Sequence, residues 1–380
     1  MKNKAMNKIG VFTGSRAEYG LMKHLIKAIN EDKELELQLI VSGSHLSKSH
    51  GETVNEILND GIKPKVYIPI SLDQSPPKTM AYLSGEVIIG LEKYINTSQP
   101  NLLILLGDRY ETFAAAATFN LMNIPIAHIH GGETTLGAID DKLRHAITQL
   151  SSWHFTAAEA YKNKVISMGI SKERVFQVGP MILDGIRQNK YISKNNFENI
   201  TGYKFSKKNI LVTYHPETLS EDQGQSGFDS LLTAIKENDC NVLFTSPNAD
   251  KGGDILLMKL KEFVSNDQNR YFHIPSLGQM KYLNALKLFD GVVGNSSSGI
   301  IEAPLMRIPV LNIGKRQAGR IRFGMVEDVP SDLIEVRNGL KRILKNSYIL
   351  SRKNDNFESL DSPSFKIINW IKNQADKSYY

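Results

Sequence analysis

The chain has 380 residues, of which 41% are hydrophobic and 23% charged, and its formal net charge is +6 at pH 7. This length predicts two domains of ordinary size, and the composition is typical of a soluble globular protein. Basic residues are interspersed with acidic ones, which favours an anionic small-molecule substrate over nucleic acid. The sequence has no long apolar run that would span a membrane and no signal-peptide core, and its single cysteine, Cys240, excludes an intrachain disulfide. We therefore expect a cytoplasmic protein.

The first half of the chain alternates short apolar runs with helical patterns. Helices are predicted from about Arg16, over 79–94 and over 110–122. Continuous Ile, Leu and Val runs are typical of strands that are buried on both faces, and so of a parallel sheet covered by helices. The predicted strands of this half are 8–14, 35–41, 65–70, 102–106, 124–129 and 175–178.

A polar stretch near 188–208 separates this half from a second one of the same kind, whose predicted strands are 209–214, 241–244, 271–274, 291–293 and 309–313. The fold class we expect is α/β, with two Rossmann-like, doubly wound domains and an interdomain cleft. The predicted domains are 1–187 and 188–360. The remaining segment, 361–380, is predicted to form a C-terminal helix that packs back on the N-terminal domain.

Residues 294–304 read Gly-Asn-Ser-Ser-Ser-Gly-Ile-Ile-Glu-Ala-Pro and follow an apolar run. This pattern predicts a buried strand, a tight turn of serines that includes Ser296 and Ser297, and a helix N-terminus. The free N–H groups and the dipole of a helix start favour an anion. Glu302, one turn further on, suits a ribose, whose two hydroxyls can donate to one carboxylate. Taken alone, the stretch is equally well explained by an ordinary serine N-cap.

Charged side chains follow other predicted strands. Arg16 comes after the first strand, in a segment that lacks the GxGxxG pattern of dinucleotide sites. It would either face a phosphate or a uracil carbonyl or be an ordinary surface arginine in the first helical turn. Asp108 and Arg109 stand at the mouth of the most apolar strand, either as reacting groups or as a structural pair. In the second half, His215 and Arg316 also follow strands, and both are suited to bind an anion.

His128 and His130 occupy alternate positions of a predicted strand, so they are expected to project to the same side. With Glu133 and either Asp140 or Asp141 they have the character of proton-transfer groups. A metal site is the competing interpretation, but the spacing lacks the helical HExxH geometry. The sequence therefore predicts no metal at these residues.

In this order along the chain, the motifs resemble those of the UDP-N-acetylglucosamine 2-epimerases, in particular the hydrolysing branch of sialic acid biosynthesis. The resemblance covers nearly the whole chain. It implies a GT-B-like fold, UDP held mainly by the C-terminal domain, acid–base residues in the N-terminal domain, no cofactor and a homodimer or homotetramer. The motifs are GSRAEY, GSH, GDR, HIHGGE, IDD with RHAI, HPET, SPNAD, GNSSSGIIEAP and NIGKRQAGR.

The resemblance also implies roles for individual residues. Asp108 matches the family's catalytic aspartate. Relatives often carry a glutamate where His130 stands, so here the carboxylate is offered only by Glu133, and the further acid is Asp140 or Asp141. The full catalytic set is Asp108, His128, His130, Glu133, Asp140, Asp141 and His215. The substrate-binding set is Arg16, Arg109, His215, Asn248, Leu277 through its backbone, Ser296, Ser297, Glu302 and Arg316.

The implied reaction converts UDP-N-acetylglucosamine and water into N-acetylmannosamine and UDP, through elimination to a glycal and hydration with inversion at C2. Three alternatives keep the UDP site. The enzyme would act instead on UDP-2,4-diacetamido-2,4,6-trideoxyglucose for legionaminic acid, or be a non-hydrolysing 2-epimerase, or be a GT-B glycosyltransferase. A nucleotide-sugar sensor without catalysis would leave the carboxylates and histidines without a purpose.

Overall fold

The structure is a computed structural model that describes residues 7–134, 139–217, 220–248, 252–322, 324–345 and 361–374. The chain divides into two compact units. The first unit comprises Met1–Thr134, Ala138–Arg187 and Leu360–Tyr380, and the second comprises Thr135–Gly137 and Gln188–Ser359. None of the helices in these described ranges has both the length and the apolar character needed to cross a membrane.

A seven-stranded parallel sheet forms the first unit, in the order β3-β2-β1-β4-β5-β6-β7. The order reverses between β1 and β4, and this switch point is where open α/β sheets place their ligands. The strands are β1 Lys8–Thr13, β2 Glu36–Ser42, β3 Val66–Ile68, β4 Leu102–Leu106, β5 Ile126–Ile129, β6 Trp153–Thr156 and β7 Val175–Gln177.

Helices cover both faces of this sheet, because its strands are apolar on both sides and each face needs a partner. Helix α1 begins after Ser15, whose side chain accepts a hydrogen bond from the backbone of Glu18. The helices are α1 Arg16–Glu31, α2 Val54–Asn59, α3 Met80–Thr97, α4 Tyr110–Leu121, α5 Ile139–Leu150, α6 Glu159–Ser167 and α7 Ile182–Gln188.

The second unit has a six-stranded parallel sheet in the order β10-β9-β8-β11-β12-β13, with its switch point between β8 and β11. Its strands are β8 Asn209–Thr213, β9 Asn241–Thr245, β10 Tyr271–Ile274, β11 Gly291–Gly294, β12 Val310–Ile313 and β13 Val326–Val329. Its helices are α8 Lys194–Thr201, α9 Gln225–Lys236, α10 Gly253–Ser265, α11 Gly278–Leu288, α12 Glu302–Leu305 and α13 Leu333–Leu344.

The last helix, α14 Pro363–Gln374, belongs to the first unit. Its Trp370 ring lies 4.9 Å from the ring of Trp153 and 5.1 Å from that of Phe155. At the start of α14, the backbone N–H of Ser364 donates to the carboxylate of Asp184 at 2.9 Å. Residues 375–380 of the expected C-terminal segment lie outside the described residues.

The expected fold class, α/β with two Rossmann-like parallel sheets, is confirmed, but the strand prediction was wrong in places. Two strands, β6 and β13, were not predicted: His154 interrupts the apolar run of β6, and β13 is an edge strand that carries two acidic residues. Strand β5 begins two residues later than expected. Pro125 lies just before it and has no N–H for the sheet.

Candidate functional site

In the second unit, one buried asparagine joins the loops that follow three strands. The side chain of Asn295, just after β11, accepts from the backbone N–H of His215 at 2.7 Å and donates to the carbonyl of His215 at 2.8 Å. The Asn295 carbonyl accepts from the side chains of Gln317 at 2.8 Å and Arg316 at 3.3 Å. These contacts bring the expected residues His215 and Arg316 to one place at the carboxyl edge of the sheet.

The ring of His215 is oriented by the loop after β9. Its Nδ1 accepts from the backbone N–H of Asn248 at 3.1 Å, so in the neutral ring the proton is on Nε2. Burial, and next to it the charge of Arg316, lower the pKa of His215 to about 3. His215 is therefore a neutral hydrogen-bond donor near pH 7, and it brings Asn248 into the same group of residues.

The serine turn differs from the expected helix start. Ser296 caps a single 3₁₀ turn, Ser297–Gly299, and helix α12 begins only at Glu302 and has four residues. The expected helix start directly after the serines was therefore wrong, and one short turn supplies fewer free N–H groups and a smaller dipole than a helix would. The turn is held by side chains instead: Ser296 and Ser298 hydroxyls lie 3.1 Å apart, and the Tyr282 hydroxyl contacts Ser298.

Glycines hold the backbone of these loops close to the sheet. Gly294 has φ of 137°, and a Cβ there would overlap the carbonyl of Thr213. Gly314 has φ of 79°, and a Cβ there would overlap the carboxylate of Glu217. Leu277, the expected uracil contact, is buried at the N-cap position of α11.

In the first unit, Asp108 after β4 forms an ion pair with Arg144 of α5. Arg144 is only 4% exposed. Asp140 lies on the same helix one turn before Arg144. Burial raises the pKa of Asp140, and the charge of Asp108 adds to the effect. Asp108, Asp140 and Arg144 therefore form one electrostatic group, whereas Asp141 lies beside His145 instead, with 3.6 Å between Oδ2 and Nε2.

His130 and Glu133 form a second pair in this unit. The Nε2 atom of His130 accepts from the backbone N–H of Met181 at 3.2 Å, and its Nδ1 lies 3.2 Å from a carboxylate oxygen of Glu133. In the neutral ring the proton is therefore on Nδ1 and faces the carboxylate. His130 lies past the end of β5 with φ of 64°, so the expected strand alternation with His128 does not extend to it.

Both ring nitrogens of His128 are occupied by neighbouring groups. Nε2 lies 2.8 Å from the carbonyl of Gly107, and Nδ1 lies 3.1 Å from the hydroxyl of Thr148. Burial lowers the pKa of His128 to about 3. A fully buried histidine with this pKa and both nitrogens engaged holds β4, β5 and α5 together and is poorly placed to exchange a proton with a ligand.

The two expected arginines of the first unit lie on neighbouring elements. Arg16 begins α1 and lies 3.8 Å from Glu56 with half of its side chain exposed. Arg109 precedes α4 and pairs with Glu111 through Nη2 at 2.8 Å. In the described part of the chain, no three His, Cys, Asp or Glu side chains are grouped as they would be around a metal ion.

Sequence reasoning missed several residues that organise these groups. Arg144 was visible only as part of the RHAI motif, and Asn295 only as part of the serine turn. Glu18 was visible only as part of the GSRAEY motif. Glu111 and Tyr282 gave no signal, because their importance depends on contacts between elements that are distant in sequence. Thr218, Ala249 and Asp250 of the quoted motifs lie outside the described residues.

Known proteins that are similar to this chain include 2-epimerases of UDP-sugars. The family model described as UDP-N-acetylglucosamine 2-epimerase matches residues 27–370. A Legionella pneumophila protein named UDP-N,N'-diacetylbacillosamine 2-epimerase (hydrolyzing) is 36% identical over 344 residues, which cover 90% of each chain. Polysialic acid biosynthesis protein P7 of Escherichia coli is 34% identical over 337 residues, 88% of this chain and 85% of that protein.

The fold is also similar to that of a solved relative. The crystal structure of UDP-GlcNAc 2-epimerase from Neisseria meningitidis bound to UDP-GlcNAc superposes with a TM-score of 0.79, covering 97% of this chain and 100% of that one. The sequence identity of the pair is 18%, so this likeness concerns the fold.

Proposed function

Since the chain belongs to the UDP-N-acetylglucosamine 2-epimerase family, we propose that it is a hydrolysing 2-epimerase that converts UDP-N-acetylglucosamine and water into N-acetylmannosamine and UDP. The observation that carries the proposal is the 36% identity, over 90% of both chains, to a relative named as hydrolysing. The site supports it, because acid–base side chains are grouped in the first unit and hydrogen-bond donors suited to an anion in the second.

The reaction has two steps. In the first, a base removes the C2 proton while the C1–O bond breaks and its electron pair leaves with UDP, which gives a glycal. In the second, water adds across the double bond, with hydroxide at C1 and a proton at C2 on the face opposite to the one that lost it. The C2 proton is only weakly acidic, so stabilisation of the leaving diphosphate contributes most to the first step.

The acid–base work is assigned to the first unit. Asp108 is paired with the cation of Arg144 and belongs to the same electrostatic group as Asp140. Burial and the charge of Asp108 raise the pKa of Asp140, which suits it to hold and deliver a proton. Glu133, with His130 hydrogen-bonded to it, is the further carboxylate of the site.

Binding of UDP is assigned mainly to the second unit. His215 and Arg316, held together through Asn295, would donate to the diphosphate. Glu302 would accept from the ribose hydroxyls, and the backbone at Leu277 would meet the uracil. The other assigned contacts are Asn248, Ser296 and Ser297, with Arg16 and Arg109 from the first unit.

Turnover of UDP-N-acetylglucosamine alone in D₂O tests the proposal. We expect free UDP and N-acetylmannosamine that carries deuterium at C2, without any added acceptor. A product that keeps UDP would indicate a non-hydrolysing epimerase, and a strict need for an acceptor would indicate a glycosyltransferase. Product without deuterium at C2 would exclude elimination and hydration.

A second substrate is favoured by the name of the L. pneumophila relative, which acts on UDP-N,N'-diacetylbacillosamine. This sugar is the 2,4-diacetamido-2,4,6-trideoxy analogue, and its C1 and C2 would undergo the same reaction. Comparison of kcat/KM for the two UDP-sugars on the same enzyme decides which is the substrate. The UDP-sugar with the larger kcat/KM is the substrate, and it shows whether the product is a precursor of sialic acid or of legionaminic acid.

We also propose that the protein is a cytoplasmic homodimer or homotetramer. Light scattering coupled to size-exclusion chromatography would measure the mass of the oligomer.

A further inference from the structure

Arg109 and Glu111 form a two-pronged ion pair after β4. Arg109 Nε lies 3.1 Å from one carboxylate oxygen of Glu111, and Nη2 lies 2.8 Å from the other. The Glu111 side chain is fully buried, whereas 41% of the Arg109 side chain is exposed. A partly exposed guanidinium is thus fixed by a carboxylate that lies behind it, with the ring of Tyr110 5.8 Å away.

Two backbone segments enclose the Glu111 carboxylate. Gly43 has φ of 59°, and a Cβ there would overlap the carbonyl of Gly14 and lie 3.0 Å from Glu111 Oε1. A Cβ at Gly14 would lie 3.3 Å from the Cβ of Glu111. The two segments are joined by the backbone N–H of Ser44, which donates to the Gly14 carbonyl at 2.9 Å. The carboxylate therefore has little room to change its orientation.

A second carboxylate, Glu18, is buried beside the pair and is held by other partners. It accepts from the backbone N–H of Gly14 at 2.7 Å and from the Thr112 hydroxyl at 2.9 Å. Burial raises the pKa of Glu18 to about 7, with Glu111 adding to the effect and Arg109 opposing it. Glu18 is thus held by Gly14 and Thr112, and Glu111 is the carboxylate in direct contact with Arg109.

We propose that Glu111 is a positioning residue that holds the guanidinium of Arg109 in the orientation in which it receives an oxygen of the UDP diphosphate. The inference rests on the proposed function, which assigns Arg109 to UDP. Only the Glu111 side of the pair is buried, and desolvation of that charge offsets much of its attraction to Arg109, so the pair is weak evidence of a role in stability alone. The pair fixes the orientation of the Arg109 guanidinium, and a guanidinium that is already oriented loses less conformational freedom when an anion binds.

A double-mutant cycle on UDP binding tests this role. Calorimetry would compare the wild type, Arg109→Met, Glu111→Gln and the double variant. We expect Arg109→Met to weaken UDP binding by about 10- to 100-fold, the range for hydrogen bonds to a charged group. Glu111→Gln should weaken it by roughly 5- to 10-fold. The double variant should bind within about 2-fold of Arg109→Met, because Glu111 acts only through Arg109.

Glu86→Gln is the matched control. Its carboxylate also accepts two hydrogen bonds from a neighbouring segment, from Ser71 N at 2.7 Å and Ser71 Oγ at 2.6 Å, but it lies on α3. This variant should bind UDP as the wild type does. A wild type that does not bind UDP would overturn the proposed function. UDP binding that is unaffected by Arg109→Met, or losses that multiply in the double variant, would overturn only the present inference.

Arg109→Lys is a second variant that tests the positioning role of Glu111, and it replaces Glu111→Gln if that variant does not fold. Lysine retains the positive charge but cannot form the two-pronged pair. We expect its UDP affinity to fall close to that of Arg109→Met, with the midpoint of thermal unfolding of each variant measured in parallel. Wild-type affinity in Arg109→Lys would show that charge alone suffices, and would overturn the positioning role of Glu111.

Discussion

Two hydrogen bonds join the side chain of Asn295 to the backbone of His215: the amide oxygen of Asn295 accepts from the His215 N–H, and its amide nitrogen donates to the His215 carbonyl. Only a side chain that has a donor and an acceptor side by side can make this pair of contacts. The loop after β8 and the loop after β11 are thereby kept in register at the switch point of the second sheet. The ring of His215 is then oriented by Asn248.

Asn295→Asp tests this relationship. The substitution keeps the shape but places a carboxylate oxygen against the His215 carbonyl, so one hydrogen bond becomes a repulsion. We expect the unfolding free energy to fall by about 1–3 kcal/mol and the affinity for UDP to fall with it. Urea denaturation and calorimetry would measure the two effects. Asn266→Asp, an exposed position at the end of α10, should change neither. Equal behaviour of the two variants would contradict the assigned role.

Glu302→Ala tests the assignment of the ribose contact. It removes a charged acceptor for two hydroxyls, so the binding free energy of UDP should weaken by about 1–3 kcal/mol. Glu262→Ala, at an exposed position of α10, is the control and should leave UDP binding unchanged. Calorimetric UDP affinity that is the same in both variants would remove Glu302 from the site.

Asp108→Asn tests the acid–base assignment. The amide cannot take the proton, so kcat should fall by roughly 10²-fold or more, with a much smaller change in UDP affinity. The variant also removes the carboxylate charge that pairs with the nearly buried Arg144, and we therefore expect a lower midpoint of thermal unfolding. Asp229→Asn, which removes a surface partner of Lys259, is the control for both measurements. Undiminished kcat in Asp108→Asn would rule this residue out.

Four of the buried histidines in the described part of the chain predict that the protein is sensitive to mild acid. Burial lowers the pKa of His45 and His154 to about 4 and that of His128 and His215 to about 3, against about 6.5 in the unfolded chain. Between these values the unfolded chain binds more protons, so stability is complete above pH 6.5 and falls as the pH is lowered towards 3. Each histidine contributes a slope of about 1.4 kcal/mol per pH unit.

His154→Phe is the control for the pH dependence of the free energy of unfolding, because it removes one of these histidines. In urea denaturation from pH 7 to pH 5, the variant should lose stability less steeply than the wild type, by about 1.4 kcal/mol per pH unit below pH 6. Parallel curves for the two proteins would show that His154 is not kept neutral by the fold.

Treatment with EDTA tests the expectation that no metal is needed. His128 would have to give up the Gly107 carbonyl or the Thr148 hydroxyl before it could bind an ion. We expect full turnover after exhaustive chelation and dialysis. Loss of activity that only added zinc or magnesium restores would contradict this.

Much of the fold was predictable from sequence, because parallel strands buried on both faces leave continuous apolar runs. The misses have local causes. In β6 the buried His154 breaks the pattern, and its burial depends on the strands on either side rather than on its neighbours in sequence. In β5 a proline shortens the strand.

The candidate site was predictable where a residue follows a strand directly, as Asp108 and His215 do. What sequence could not supply is the set of pairings. The choice between Asp140 and Asp141 depends on which face of α5 meets Asp108, and the role of Arg144 depends on the same contact. The helix start expected after the serine turn was wrong because Ser297–Gly299 closes as a single 3₁₀ turn.

Helix α14 completes the first unit with residues that follow the second unit in the chain. A ribosome that has produced the whole seven-stranded sheet has not yet produced Trp370, so the rings of Trp153 and Phe155 lack this contact until the second unit has been synthesised as well. The first unit is therefore the first to begin folding and cannot be the first to finish. Until α14 has emerged, the apolar surface that it covers stays exposed, and such surface makes an incomplete chain prone to aggregate.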